Sequence, residues 1–372
     1  MNGHAVKAPI TVADINNIGL ESLQSLQILH PTIRFVRFQW QDLSGVLRGR
    51  VSTLSYALQL AKDNKHIRVS PLRLHCIVDN FCSLGRSRSA DICPRTAIAS
   101  TIAKASAQHG VHFLIGFEIE FEAVKVKSRS GDITSASTDF GRYALRDPCC
   151  VYVEEAVLTL VDSGISIQEF HSEGAIGQYE ITLPPLPLVA AVDTLVFVHD
   201  TLKHVFGRYG LHANMSPVSI AGHGTGQGTG QHTYISLNPP LREEYFLAGI
   251  LNRLQGLCAC TLPYDISYRR VAPALAGNVV AWGTQHRQMP VRKINPGHWE
   301  LRCVDAAANM YFALAAMTGA GMLGIAREKA LVWPDMADGA KTSLDLEDWL
   351  RLPMSVDEGL DYLESVPVSL KA

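Results

Sequence analysis

A long run of positive charge is the first thing this chain does without. Only 18% of its 372 residues are charged and the formal net charge is −2. With no basic stripe and no acidic tail, nucleic acid is not an expected partner. The opening thirty residues carry no basic start followed by an apolar run, and Asp14 and Glu21 interrupt them, so no secretory leader is read there. The eight cysteines, Cys76, Cys82, Cys93, Cys149, Cys150, Cys258, Cys260 and Cys303, form no C-x-x-C pair and no Cys/His zinc spacing. Reduced, mostly buried thiols and a cytoplasmic location are the expectation. The glycine-rich segment Gly222 to Gly230 lacks the Gly-Lys-Ser/Thr ending of a phosphate-cradling loop and reads as a flexible connection. Between Asp305 and Arg327 a charge-free run is long enough to span a bilayer. It contains Asn309, Thr318, Gly319, Gly321 and Gly324, so a core helix is expected and no membrane partner. The Gly319-x-Gly321-x-x-Gly324 spacing lies at the end of that helix and not between a strand and a helix, so it carries no dinucleotide meaning.

What is present is a series of alternating segments that carry carboxylates. At 47% hydrophobic residues the chain can bury a substantial core and is long enough for two domains. From Phe113 to Glu122 the apolar residues Phe113, Ile115, Phe117, Ile119 and Phe121 share one face of a strand, so Glu118, Glu120 and Glu122 project from the other. The stretch from Ile165 to Leu183 reads as a hairpin. His171 and Glu173 share a face before the turn, and Glu180 alternates with Tyr179 and Ile181 after it. Neighbouring carboxylates raise each other's pKa, and a cation between them relieves this. Two solvated acids beside a surface hairpin account for Glu173 and Glu180 equally well.

Further strands are expected over 231–237, with His232 and Tyr234 on one side, and over 298–302, with His298, Glu300 and Arg302 on one face. Arg269, Arg270, Arg287 and Arg292 concentrate positive charge in an otherwise charge-poor region, which suits an anion. Helices are expected over 96–108, 151–161 and 193–209, each followed by a glycine within a few residues. A strand-like run from Ile33, a turn at Asp42-Leu43-Ser44-Gly45 and a return through Val51 make a small β unit near the start.

Taken in order, Glu118 and Glu120, Glu173, Glu180, His232 and Glu300, followed by Arg270, Arg287, Arg292 and Arg302, resemble the glutamine synthetase superfamily. The Phe-His-Ser-Glu run, Met215-Ser216-Pro217 and Ala281-Trp282-Gly283-Thr284-Gln285-His286-Arg287 look like its FluG-type, fungal branch. The resemblance runs from about residue 33 to 364. It implies an α+β fold: a tail over residues 1–30, a small β-grasp domain over 31–93, and a catalytic domain over 94–372 built on an antiparallel sheet and abbreviated at its C-terminus. It also implies a ring-shaped homo-oligomer with sites between subunits.

By the same resemblance, Glu120, Glu173 and Glu180 hold one metal ion and Glu118, His232 and Glu300 a second. Oxygen-rich coordination favours Mg²⁺ or Mn²⁺. Arg270, Arg302 and Gly228 look like substrate-binding positions, Arg287 and Arg292 like phosphate contacts, and Asp42 like an amine-binding group that reaches a neighbouring subunit. Tyr234, His298 and Arg292 fall on nucleotide-binding positions, with Tyr234 where the family usually has a second histidine and His298 where it usually has an arginine. The implied activity joins a small carboxylate to ammonia or an amine at the expense of ATP, through an acyl phosphate. Two alternatives stay open: an ATP-independent metal enzyme of secondary metabolism on the same fold, and a non-catalytic signalling homologue.

Overall fold

The structure, a computed structural model, describes residues 20–29, 31–42, 44–63, 94–125, 148–175, 177–218, 228–273, 275–337 and 349–365. Several expectations lie outside these residues: the tail before residue 20, residues 64–93 of the β-grasp region with Cys76, Cys82 and Cys93, most of the 222–230 loop, and the last seven residues.

The described residues begin with α1 (Leu20–Leu29), then β1 (Phe35–Gln41), β2 (Leu47–Thr53) and α2 (Leu54–Lys62). Strands β1 and β2 pair in an antiparallel hairpin, Phe35 opposite Thr53 and Gln41 opposite Leu47. Gly45 turns the chain at φ +80°, in the left-handed region that favours glycine. Among the described residues this two-stranded sheet is the whole of the N-terminal β-rich region. Thr53 caps α2 by accepting a hydrogen bond from the Tyr56 amide.

The larger unit follows as α3 (Pro94–His109), β3 (His112–Lys125), α4 (Cys150–Asp162), β4 (Glu169–Ser172), β5 (Gln178–Pro187) and α5 (Leu188–Arg208). It continues with β6 (Leu211–Asn214), β7 (Gln231–Asn238), α6 (Glu243–Leu251), α7 (Leu254–Thr261) and a short 3-10 helix, Asp265–Arg270. It closes with β8 (Trp282–Thr284), β9 (Val291–Asn295), β10 (His298–Leu301), α8 (Met310–Ala326) and α9 (Val356–Ser365). The strand order is β4-β5-β3-β7-β10-β9-β8, with β6 also paired to β3. The sheet is mixed, which corrects the antiparallel expectation: β8 runs parallel to β9. Three-residue β8 has no local signature of direction, because its partner is reached through a turn that reverses the chain twice.

Strand β3 is the centre of the sheet. Its odd-numbered residues from Phe113 to Phe121 are each no more than 3% exposed. They share one apolar core with Val153 and Leu160 of α4 and with Leu195, Leu202 and Phe206 of α5. Burying each phenylalanine contributes roughly 1.5–3 kcal/mol, and Phe121 adds an edge-on contact to Phe206 with centroids 5.5 Å apart. The even-numbered face is more open at one end than the alternation implies, since Leu114 is exposed.

Helix α5 starts at Leu188, five residues before the expected Asp193. Pro187 ends β5 and leads directly into the first turn, a position that suits its fixed φ and missing donor. Asp193 lies inside the helix, where it pairs with Arg95 at 2.8 Å and accepts a hydrogen bond from Tyr311. Helix α8 is the expected core helix, capped by Asn309, whose side chain accepts from the Tyr311 and Phe312 amides. It crosses α6 at close range: a β-carbon on Gly324 would lie 2.1 Å from the Tyr245 carbonyl oxygen. No helix among the described residues is long and apolar enough to cross a membrane.

Candidate metal centre

The polar face of the sheet is assembled by register. Across β4, β5 and β3 the pairing aligns His171 with Glu180 and Glu180 with Glu120. One step along, Glu118 stands opposite His232 of β7. A further step brings Tyr234 opposite Glu300 of β10 and Glu300 opposite Arg292 of β9. Paired residues share a face, so five strands deliver acids and histidines to one surface.

Glu120 is held most firmly. Its Oε2 accepts from the Gly230 amide at 2.6 Å and from Gln178 Nε2 at 2.9 Å, which leaves Oε1 facing His232 Nε2 at 3.8 Å. The approach depends on glycine. A β-carbon on Gly230 would come within 2.9 Å of His232 Nε2 and 3.0 Å of Glu120 Oε1, and one on Gly228 would lie 1.9 Å from the Pro217 carbonyl oxygen. Glu173 Oε2 accepts from the Gly174 amide at 2.9 Å. His171 Nε2 stands 3.4 Å from Glu180 Oε1.

The electrostatics show a surplus of negative charge. Burial, then Glu120 and Glu180, push the Glu173 carboxyl up to about 7. Burial also raises Glu180, with Glu118 and Glu120 adding to it and the His171 hydrogen bond opposing. The contact with Glu180 lifts His171 to about 9 against the effect of burial. Glu118 goes the other way: burial would raise it, but hydrogen bonds from His232 and Tyr234 hold it below the usual carboxylate range.

Two overlapping donor sets result, Glu118 with Glu180 and His232, and His171 with Glu173 and Glu180. Within each, the ligand atoms all lie within 4.8 Å of one another. Carboxylates that disfavour each other's charge and converge with an imidazole fit a divalent cation.

The second half of the expected metal set is differently engaged. Glu300, fully buried, accepts from Arg292 at 2.9 Å and from Arg302, and faces His232 Nδ1 at 3.2 Å. Arg292 also donates to Gln285 Oε1. Arg270 lies buried under the site, donating to the Val304 carbonyl at 2.6 Å, with burial drawing its pKa down. Arg287 is exposed on the turn after β8.

Asp42 stands apart from the carboxylates in the same chain. Its side chain accepts from the Ser44 amide and hydroxyl, the Val46 amide and Arg48, and its carbonyl accepts from Asn309. Tyr234 donates its hydroxyl to Glu118 and stacks on His298 with centroids 5.6 Å apart, while Ser236 meets His298 Nδ1 at 2.8 Å. Burial, then Glu300 and Glu118, raise the Tyr234 phenol, so it stays a donor.

A family model described as glutamine synthetase, catalytic domain, matches residues 91–371. The chain belongs to the glutamine synthetase superfamily. Among its relatives there, the protein fluG of Emericella nidulans is 35% identical over 298 residues, covering 75% of this chain and 34% of fluG. The gamma-glutamylpolyamine synthetase GlnA3 of Streptomyces coelicolor is 28% identical over 317 residues, covering 76% of this chain and 66% of that protein. The chain therefore spans about a third of the length of the first and about two thirds of the second. A solved structure of GmaS without ligand overlays this superfamily member with a TM-score of 0.75 at 22% identity, covering 92% of this chain and 90% of that one, and shows the shared fold.

Sequence reasoning left three residues out of the candidate set. His171 shares the face of Glu173 by alternation alone, which was a usable signal. Gln178 and Gly230 act through Glu120, fifty-eight and 110 positions away, and no local spacing reveals that.

Proposed function

We propose that this superfamily member is an ATP-dependent carboxylate–amine ligase acting on glutamate or a glutamate-like acid, with ammonia or an amine as the nitrogen donor. The observation that carries the reading is the convergence of Glu118, Glu120, Glu173, Glu180 and His232 on one face of the sheet, in a chain of this family. In this reading Glu120, Glu173 and Glu180 hold one Mg²⁺ or Mn²⁺, and Glu118, His232 and Glu300 a second. Bound there, the ions would neutralise charge on the phosphoryl group in transfer.

The chain's own residues would do the rest by binding and orienting. Arg270, Arg302 and Gly228 line the place of the carboxylate substrate, and Arg292 and Arg287 contact phosphate. Tyr234 and His298 form a flat surface for the nucleotide, and Asp42 serves the amine site of a neighbouring subunit in a ring-shaped oligomer in the cytoplasm. A substrate carboxylate oxygen attacks the terminal phosphorus and ADP leaves. The amine nitrogen then attacks the acyl carbon, phosphate leaves with the carbon–oxygen bond pair, and the proton lost from nitrogen passes to the departing phosphate or to water. No covalent bond to the protein is required.

A second reading has its own support. Tyr234 locks Glu118, and Arg292 and Arg302 are turned onto Glu300, so an ATP-independent metal enzyme would use the same acids with the nucleotide side closed. Release of ADP that requires Mg²⁺ or Mn²⁺ and one member of an amine panel is expected for the ligase. Divalent cation binding without any nucleotide binding in calorimetry would overturn the ligase in favour of the second reading.

A further inference from the structure

His171 has no role in the reading above, yet its ring is aimed and its tautomer is set. Nδ1 lies 3.1 Å from the carbonyl oxygen of Ser172. A carbonyl only accepts, so Nδ1 carries the hydrogen in that contact. In the neutral ring the lone pair is then on Nε2, which faces Glu180 Oε1 at 3.4 Å. Without an ion a proton on Nε2 bridges that gap to Glu180, the place a cation would take, and Glu173 Oε1 lies 4.0 Å from Nδ1 of the same ring. A backbone carbonyl that orients one imidazole nitrogen while the other points at a carboxylate is how histidine is prepared for a metal ion. The register supports the placement independently, because His171 pairs with Glu180 and Glu180 with Glu120 in adjacent strands.

We infer that His171 supplies, through Nε2, a nitrogen donor to the cation subsite of Glu173 and Glu180, and that this biases the subsite toward Mn²⁺ and other transition-metal dications over Mg²⁺. The inference rests on the reading of the cleft as a divalent cation site. It adds a selectivity that an all-oxygen subsite would lack. Mg²⁺ takes oxygen ligands and keeps its water, whereas Mn²⁺ accepts an imidazole among its oxygens and the later first-row dications bind one more tightly still. Loss of a metal-bound imidazole therefore weakens Mn²⁺ far more than Mg²⁺.

The test uses the full chain, His171→Gln and His171→Asn, with Mn²⁺ and Mg²⁺ alone as probes. The side chain is 37% exposed, and circular dichroism melts check that both variants fold. Free Mn²⁺ is read by electron paramagnetic resonance, and Mg²⁺ by competition. The expected result is a loss of Mn²⁺ affinity of at least about tenfold in both variants, with Mg²⁺ changed by less than about threefold. Nitrogen modulation in the pulsed spectrum of bound Mn²⁺ should also fall. Equal losses for the two ions, unchanged nitrogen modulation, or tighter Mn²⁺ binding in the variants would overturn the role of His171 and leave the cation site standing. If the native chain binds neither ion, the cation reading itself fails, and this inference with it.

Discussion

Replacing Glu173 with glutamine in the metal-free protein is expected to stabilise it, and the sign depends on pH. The carboxyl is pushed from the ordinary 4.5 to about 7 in the folded chain, by burial first and then by Glu120 and Glu180. The folded state thus holds a proton more tightly than the unfolded state does. Stability from this group is full below about pH 4.5, declines as pH rises, and is lost above about pH 7. Each tenfold difference in proton affinity is about 1.4 kcal/mol, so the ionised group costs the fold about 3 kcal/mol at pH 8. Glutamine keeps a carbonyl oxygen for the Gly174 amide and has no charge to bury. In EDTA at pH 8, urea unfolding followed by circular dichroism should show Glu173→Gln about 2–3 kcal/mol more stable than the native chain, with the gain falling below about 1 kcal/mol at pH 5. Mn²⁺ at about one thousand times its dissociation constant should reverse the order, because at that ratio it adds about 4.1 kcal/mol to a protein that binds it. A variant no more stable than native at pH 8, or a gain that persists unchanged on acidification, would refute the reasoning.

Other substitutions probe the surroundings. Arg302→Met leaves fully buried Glu300 with Arg292 as its remaining arginine, and thermal or urea unfolding should report a loss of about 2–4 kcal/mol. Tyr234→His with His298→Arg puts the residues usual in the family at the positions proposed for the nucleotide, and on that proposal calorimetry should register tighter ATP binding than in the native chain. Gly324→Ala forces a β-carbon to 2.1 Å from a backbone carbonyl of α6 and should cost more than about 3 kcal/mol or prevent folding. Gly319→Ala in the same helix meets nothing within 4 Å and should stabilise by up to about 1 kcal/mol in the same unfolding assay.

Strict alternation made β3 and the β4–β5 hairpin readable in advance, because a period of two admits one assignment of faces once five large apolar residues occupy alternate sites. The core helix α8 was equally plain from its composition. What escaped was set by distant partners. The start of α5 was placed at Asp193, five residues late, and the role of Asp193, an ion pair with Arg95 ninety-eight positions earlier, has no local signal. The arginines were legible as a cluster, but not that Arg292 and Arg302 converge on Glu300, since that depends on how β9, β10 and the residue after β10 are laid side by side. Asp42 likewise shows its engagement with Ser44, Val46 and Arg48 only when the hairpin is closed.

The division of labour along β3 has an evolutionary corollary. Positions of one parity serve packing and those of the other serve chemistry, so a lineage can rewrite the chemical series letter by letter while the hydrophobic footing stays in place. Inserting a single residue would exchange the two series wholesale and bring acids against Phe206. Length changes in this strand are therefore tolerable in pairs or where a bulge absorbs the extra residue, and new specificities on this scaffold are expected to arise by substitution.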